Sequence, residues 1–316
     1  MNTYHNFKRQ HGVALITAIM VLALAVIAAT AISSDYQLFA RRVENSVFGS
    51  QAWAYQYASE QWAIVVLRRD KLADGPQQAD IYDHPSEDWG LGLSSQILPA
   101  GELSASLSDE QAKLNINNLL TDDGVDAIYK QRMQRLFSLL EINPNIVNAI
   151  IDWIDPNITP TQPEGAEDQY YIGLERPYLS AGQLMYDISE LKLIRGIEAE
   201  DYLKLKKYVT ALPMRTELNL NAISAQVMAA IVPNMSVELA QDLITNRDME
   251  PYQHIQDFIS QVVLNNLQLD PTGLSVKSEF FTLSSEINIA KNYSKKISLM
   301  HRMDTQVKVV KRITGQ

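Results

Sequence analysis

Cysteine is absent from all 316 residues, which excludes disulfides, thiolate metal sites and cysteine nucleophiles. Histidine is scarce, and His5, His11, His84, His254 and His301 do not cluster along the chain. No His-Glu-x-x-His, Gly-x-Ser-x-Gly, phosphate loop or dinucleotide fingerprint occurs, so no familiar enzyme signature is present and no enzymatic activity is expected. Proline does not appear before Pro76, and Gly49 is the only glycine between Gly12 and Gly75. Charge is missing from Val13 to Ile32, and Lys and Arg are missing from Leu136 to Glu175. Basic residues are also in deficit overall, at 27 against 37 acids, a net charge of −10. So acidic a chain repels phosphates, and no nucleic-acid partner is expected. What is present is 46% hydrophobic, enough for a real core, over a length that suggests two or three units.

The uncharged stretch Val13–Ile32 is twenty residues long and would span the roughly 30 Å hydrocarbon layer as a helix. A secretory signal with cleavage near Ala29-Thr30-Ala31 competes with this, but its apolar core would be only about 7–15 residues. With neither Pro nor a cluster of Gly, one helix is expected from Val13 to about Leu72, ended by Gly75-Pro76. Lys8 and Arg9 precede the span, so that flank is expected to stay in the cytoplasm and the remaining chain to lie on the far side of the membrane. The junction Lys8-Arg9-Gln10-His11-Gly12 followed by Val13-Ala14-Leu15-Ile16 resembles a type IV prepilin leader. That resemblance implies a leader of residues 1–12, cut by a prepilin peptidase between Gly12 and Val13, with N-methylation of Val13. Without the leader the net charge becomes −12, since only Lys8 and Arg9 are lost. Such subunits usually carry Glu at the fifth mature position; here that position is Thr17.

Beyond the membrane, Tyr36, Phe39, Val43, Val47, Ala54, Ala58 and Val65 recur at helical spacing and predict a core-facing stripe. The loop Asp74–Gly92 carries the doublet Asp83-His84, read as surface rather than as a site. Glu102–Ser108 alternates as a half-buried strand does, and Phe281–Ser284, Ile287–Ile289, Lys296–Met300 and Val307–Val310 give matching signals. Residues 122–269 between them read as helical. The expected architecture is therefore α/β: a transmembrane helix (13–34) continues into a pilin-like α/β roll (35–121 and 270–316), with a large all-α domain (122–269) inserted between strands. The insert holds a weak repeat, Leu114-Asn115-Ile116-Asn117 and Leu218-Asn219-Leu220-Asn221, each placing an Asn where it can cap a following helical segment. Residues 218–259 resemble a helix-hairpin-helix module, but the hairpin lacks the Gly and nearby Lys that would grip phosphates, so its reading is packing.

Five carboxylates, Asp152, Asp155, Glu164, Glu167 and Asp168, fall within seventeen residues, around an apolar helix end and a Pro-stiffened loop. Asp152 and Asp155 share one helix face. Hard oxygen ligands without His or Cys suit calcium, although the spacing is not that of an EF-hand. The competing reading is a solvated acidic loop with a distant Arg176 or Arg195 as counter-charge. A glycosidase-like pair such as Asp152 and Glu167 is conceivable in spacing, but nothing selects it.

The order and context of Leu114–Asn117, Asp152-Trp153-Ile154-Asp155, Gly165–Tyr171, Tyr186–Leu191 and Leu218–Asn221, with the leader and Thr17, resemble the type II secretion protein K family over nearly the whole chain. That resemblance implies a pilin-like fold with a large helical insertion and calcium bound in it. It also implies assembly with the I and J minor pseudopilins into a tip complex, together with other pseudopilus subunits and the inner-membrane assembly platform. A minor pilin of a type IV pilus and a membrane-tethered DNA-uptake protein are the alternatives.

Overall fold

The computed structural model describes residues 11–73, 82–99, 101–304 and 306–315; Lys8, Arg9 and Gly75-Pro76 lie outside them. In chain order the elements begin with α1 (His11–Ala73), α2 (Asp88–Leu91), β1 (Leu93–Leu98) and β2 (Gly101–Asp109). Then come β3 (Leu114–Asn115), β4 (Leu120–Thr121), β5 (Gly124–Val125), α3 (Ala127–Leu139), α4 (Ile146–Ile154), α5 (Asp168–Ile172), α6 (Ala199–Leu205) and β6 (Val209–Thr210). The chain closes with β7 (Leu218–Asn219), α7 (Ala225–Ile231), α8 (Val237–Met249), α9 (Ile255–Leu264), β8 (Leu274–Ser275), β9 (Phe280–Ile289), β10 (Asn292–Arg302) and β11 (Val307–Gly315).

α1 is one uninterrupted helix of 63 residues, as the lack of proline allows, and its N-terminal part is long and apolar enough to cross a membrane. Its far half lies on a five-stranded antiparallel sheet ordered β1-β2-β9-β10-β11. The two central neighbours, β2 and β9, come from opposite ends of the soluble chain, in register from Glu102↔Asn288 to Asp109↔Phe281. Two separate strand signals, Phe281–Ser284 and Ile287–Ile289, thus become one strand, and β1 had no signal of its own because four of its six residues are exposed in a row at the sheet edge and do not alternate.

The contact between α1 and the sheet overturns the expected stripe. Tyr36, Phe39, Val43, Val47 and Val65 are exposed, while Ala52, Gln56, Ser59, Glu60, Ala63 and Leu67 are buried. The buried face is small and polar because it meets a polar lock on the sheet. Glu60 accepts hydrogen bonds from Ser298 Oγ (2.7 Å) and from Arg312 Nε and Nη2 (2.9 and 3.0 Å), and pairs with Lys296 at 2.8 Å. Burial alone would raise this carboxyl's pKa; the bonds from Arg312, Lys296 and Ser298 outweigh it and hold it at about 2. Hydropathy periodicity tracked the other face, which nothing in this chain covers.

The insert has its own, larger apolar core, which includes Leu114, Ile116, Leu119, Leu274 and Val276. It therefore begins where β2 ends and closes where β9 starts, about 110–279, wider at both ends than 122–269. It is also less helical: residues 155–167 and 173–187 contain no helix. The weak repeat organises it into two halves. β3 pairs in parallel with β6, and β7 with β8. Asn115 Oδ1 accepts the Asn117 N–H (3.2 Å) and Asn219 Oδ1 the Asn221 N–H (3.0 Å). Asn117 then clasps the backbone N–H and C=O of Met185, and Asn221 those of Tyr252. The repeated asparagines are buried backbone staples, one pair per half.

Candidate metal centre

α4 is buried all round, carrying Asp152 inside at 0% exposure, and its end delivers Asp155 at 6%. The loop 161–167 folds back against it, leaving Glu167 at 3% exposure. The fold-back is tight: a Cβ on Gly165 would collide with the Asp152 carboxylate and the Thr161 carbonyl. Both Asp152 oxygens accept the Thr161 N–H, at 3.1 and 3.0 Å. Asp155 Oδ1 accepts the Asn157 N–H at 3.1 Å, and Asp168 Oδ1 accepts the Ser180 N–H and hydroxyl at 2.8 and 2.7 Å. Glu164 departs from the group. Its carboxylate turns out to Arg195 at 3.4 Å, and its side chain is half exposed. The fold brings together four of the five acids and assigns the fifth to a surface ion pair.

No Lys or Arg pairs with Asp152, Asp155, Glu167 or Asp168 among the described residues, and the electrostatics show the strain. Burial raises the Glu167 pKa, and repulsion from Asp152, Asp155 and Asp168 adds to it, to about 7. Burial likewise raises Asp155, opposed by its bond from Asn157 and reinforced by Asp152. Glu167 Oε1 is buried with no hydrogen-bond partner. An all-oxygen set with excess negative charge and an orphaned buried oxygen fits a hard cation such as calcium. The four do not close into a trio with ligand atoms within 4.8 Å of one another; among the described residues the trio that does is Asp70, Asp83 and Glu87.

That second cluster was missed by sequence reasoning, which treated Asp83-His84 as surface. Both are buried. Asp83 and Asp70 flank Arg302, which bonds Asp70 Oδ2 at 2.6 Å and also donates to Asp83. Ser278 and Asn219 continue the network to the fully buried Asp109. The Tyr186–Leu191 motif has a structural role as well: Glu190 closes a capping box with Asp187, and its Oε2 accepts the Trp153 indole N–H at 3.0 Å.

At the other end of the molecule, Val13 and Thr17 lie in the first turns of α1, and Gly12 is part of the same helix. The Thr17 hydroxyl donates to the carbonyls of Val13 and Ala14, at 3.1 and 3.0 Å. It is satisfied within its own helix and carries no charge. Further along, Trp53 and Tyr57 stack at 5.5 Å on the uncovered face of α1.

A long helix laid on an antiparallel sheet, its N-terminal part apolar and long enough to cross a membrane, with a domain inserted between central strands, defines a pilin-like subunit. Known proteins narrow this. Models of the family "Type II secretion system (T2SS), protein K" match residues 112–214 and 218–277, close to the two halves of the insert. The chain is 30% identical to the type II secretion system protein K of Pseudomonas aeruginosa, covering 98% of this chain and 94% of that one. It is 28% identical to its counterpart in Aeromonas hydrophila, over 98% of each. A chain in the crystal structure of the GspK-GspI-GspJ complex from enterotoxigenic Escherichia coli matches with a TM-score of 0.75 at 26% identity, covering 87% of this chain and 99% of that one. The protein belongs to the type II secretion system protein K family.

Proposed function

We propose that the chain is the minor pseudopilin that caps the tip of the periplasmic pseudopilus, a structural subunit and not an enzyme. The observation that carries this is the likeness, over 87% of this chain and 99% of the other, to a chain solved in complex with GspI and GspJ. The uncovered apolar face of α1, with exposed Tyr36, Phe39, Val43, Val47 and Trp53, is the surface on which the I and J minor pseudopilins and further subunits would pack. Val13–Ile32 anchors the chain in the inner membrane after a prepilin peptidase cuts between Gly12 and Val13 and Val13 is N-methylated; the assembly platform engages it there, and the bulk lies in the periplasm.

Thr17 supports the terminal position. A fifth-position carboxylate would neutralise a neighbour's N-terminal ammonium in the membrane, where an unpaired charge is costly. Thr17, neutral and bonded to Val13 and Ala14, needs no such neighbour. Calcium is held in the insert by Asp152, Asp155, Glu167 and Asp168, where it supplies the positive charge the loop lacks and ties the loop to α4. The test is to combine the full chain with the I and J proteins in detergent and weigh the product. A one-to-one-to-one complex beginning at Val13 that does not extend is expected; self-assembly of this chain into filaments overturns the capping role.

A further inference from the structure

Three buried side-chain atoms among the described residues lack a hydrogen-bond partner: His84 Nε2, Glu167 Oε1 and Asn148 Oδ1. His84 Nε2 faces the Asp248 carboxylate at 3.6 Å. The other two belong to one contact, that of α4 with the acidic loop. Asn148 is 2% exposed, and its Nδ2 donates to the Pro163 carbonyl at 2.7 Å. That bond fixes the amide, because turning it over would set Oδ1 against another acceptor. The oxygen is therefore the end left free, and a buried acceptor without a donor is destabilising. Asn148 and Asp152 are spaced at i and i+4 of α4, so they share one face, and Asp155 is the C-cap that ends the helix. Pro163, to which Asn148 is tied, leads directly into Glu164–Asp168.

We infer that Asn148 Oδ1 is a neutral ligand to the cation held by Asp152, Asp155 and Glu167, an inference that rests on the calcium reading above. Calcium takes amide oxygens alongside carboxylates and fills a shell of six to eight. An amide adds a donor without adding to the repulsion that already raises Glu167. It also accounts for an amide at a buried position in the otherwise apolar run Ile146–Ile151 of α4. Glu164, by contrast, is outside the shell.

Terbium replacing calcium in the full chain, in detergent, tests this. Trp153 follows Asp152 directly and packs against Tyr171 with ring centroids at 5.3 Å, so exciting these rings sensitises a bound terbium. Luminescence lifetimes in H2O and D2O then count the water molecules on the metal. Asn148→Ala is expected to gain one water and bind at least about tenfold more weakly. Asn148→Asp, which keeps an oxygen but loses the donor to Pro163, is expected to keep the unmutated water count. An equal count in all three proteins, or a gain in both variants, assigns Asn148 to loop tethering and overturns the inference. Should Asn148→Ala fail to fold, infrared difference spectra of unmutated protein with ¹³C-labelled asparagine amides decide. Calcium must shift one amide carbonyl band that Asn148→Asp lacks, and no shift overturns the proposal. Absence of terbium and calcium binding to the unmutated chain overturns the calcium reading, and this inference with it.

Discussion

The molecule holds two groups of crowded carboxylates, and the tighter one is the weaker candidate for a metal. Asp70, Asp83 and Glu87 bring ligand atoms within 4.8 Å of one another, yet Arg302 sits among them, 4% exposed and bonded to both aspartates. Asp152, Asp155 and Glu167 are more widely set, more deeply buried, and have no Lys or Arg partner among the described residues. Proximity of acids is thus a poor guide to a metal, because an arginine answers the same electrostatic need. The missing counter-charge is the better guide.

The largest expected effect comes from removing that arginine. Arg302→Ala takes the guanidinium away from the buried Asp83 and should cost about 3–5 kcal/mol in denaturant unfolding of the full chain. Added calcium should not restore it. Recovery of most of the lost stability by calcium would mean that the two clusters are interchangeable, and the comparison would break.

Next is the cation itself. At calcium concentrations a hundredfold above the dissociation constant, the unmutated chain should gain about 2.7 kcal/mol over the chelated protein. Asp152→Asn with Glu167→Gln should erase that gain. The pair should also make the calcium-free protein more stable than its unmutated counterpart, since the repulsion among Asp152, Asp155, Asp168 and Glu167 is relieved. A melting series with and without chelator reads both signs, and a calcium-free double variant less stable than the parent removes the argument from repulsion.

pH acts on both clusters, and by a smaller margin, since each holds a glutamate raised to about 7. Burial, reinforced by Asp70 and Asp83, raises the Glu87 pKa to about 7 against the bonds it accepts from His84 and Trp89. A carboxyl whose pKa is higher in the fold than in the open chain binds its proton more tightly when folded. Its contribution is present below about 4.5 and is lost as pH rises through about 7. Glu87→Gln should flatten that decline, by on the order of 1 kcal/mol at pH 8 after allowance for solvent screening. Asp109 and Glu167, both also raised to about 7 by burial first, keep part of the slope. Unfolding curves from pH 4 to 8 with an unchanged slope in Glu87→Gln would place the titration elsewhere.

How much of this could be read in the sequence depends on whether a signal is local. The apolar start of α1 was legible because twenty residues lack charge, and the strand Glu102–Ser108 because it alternates. The five acids were legible as a group because no Lys or Arg interrupts them. What was hidden is long-range. The face of α1 that meets the sheet is polar because Lys296, Ser298 and Arg312 converge on Glu60 from more than two hundred residues away, and an apolar stripe on the opposite side carried the periodicity instead. Arg302 reaches Asp83 across 219 positions, which no window over the Asp83-His84 doublet detects. The asparagine repeat was visible, but its meaning lay in Met185 and Tyr252, each far from its asparagine in sequence.

Glu164 gives the finest test, because sequence alone counts it with the other four acids while the fold does not. Its backbone takes a left-handed φ of 68°, and its carboxylate points to Arg195 at 3.4 Å with both side chains substantially exposed. Arg195 is engaged besides, donating to the Gly165 carbonyl at 3.2 Å and lying over the Tyr170 ring. An exposed pair of this kind contributes at most about 1 kcal/mol to stability. Glu164→Gln should therefore change calcium affinity less than about twofold, whereas Glu167→Gln, which removes a buried charge from the set, should weaken it by about tenfold or more. Isothermal titration of the two variants compares them directly. Equal losses would return Glu164 to the cation's shell and make Arg195 its competitor; an unequal pair, with Glu167 dominant, leaves the counter-charge rule standing at the scale of a single loop, where one glutamate has an arginine and its neighbour three residues on has none.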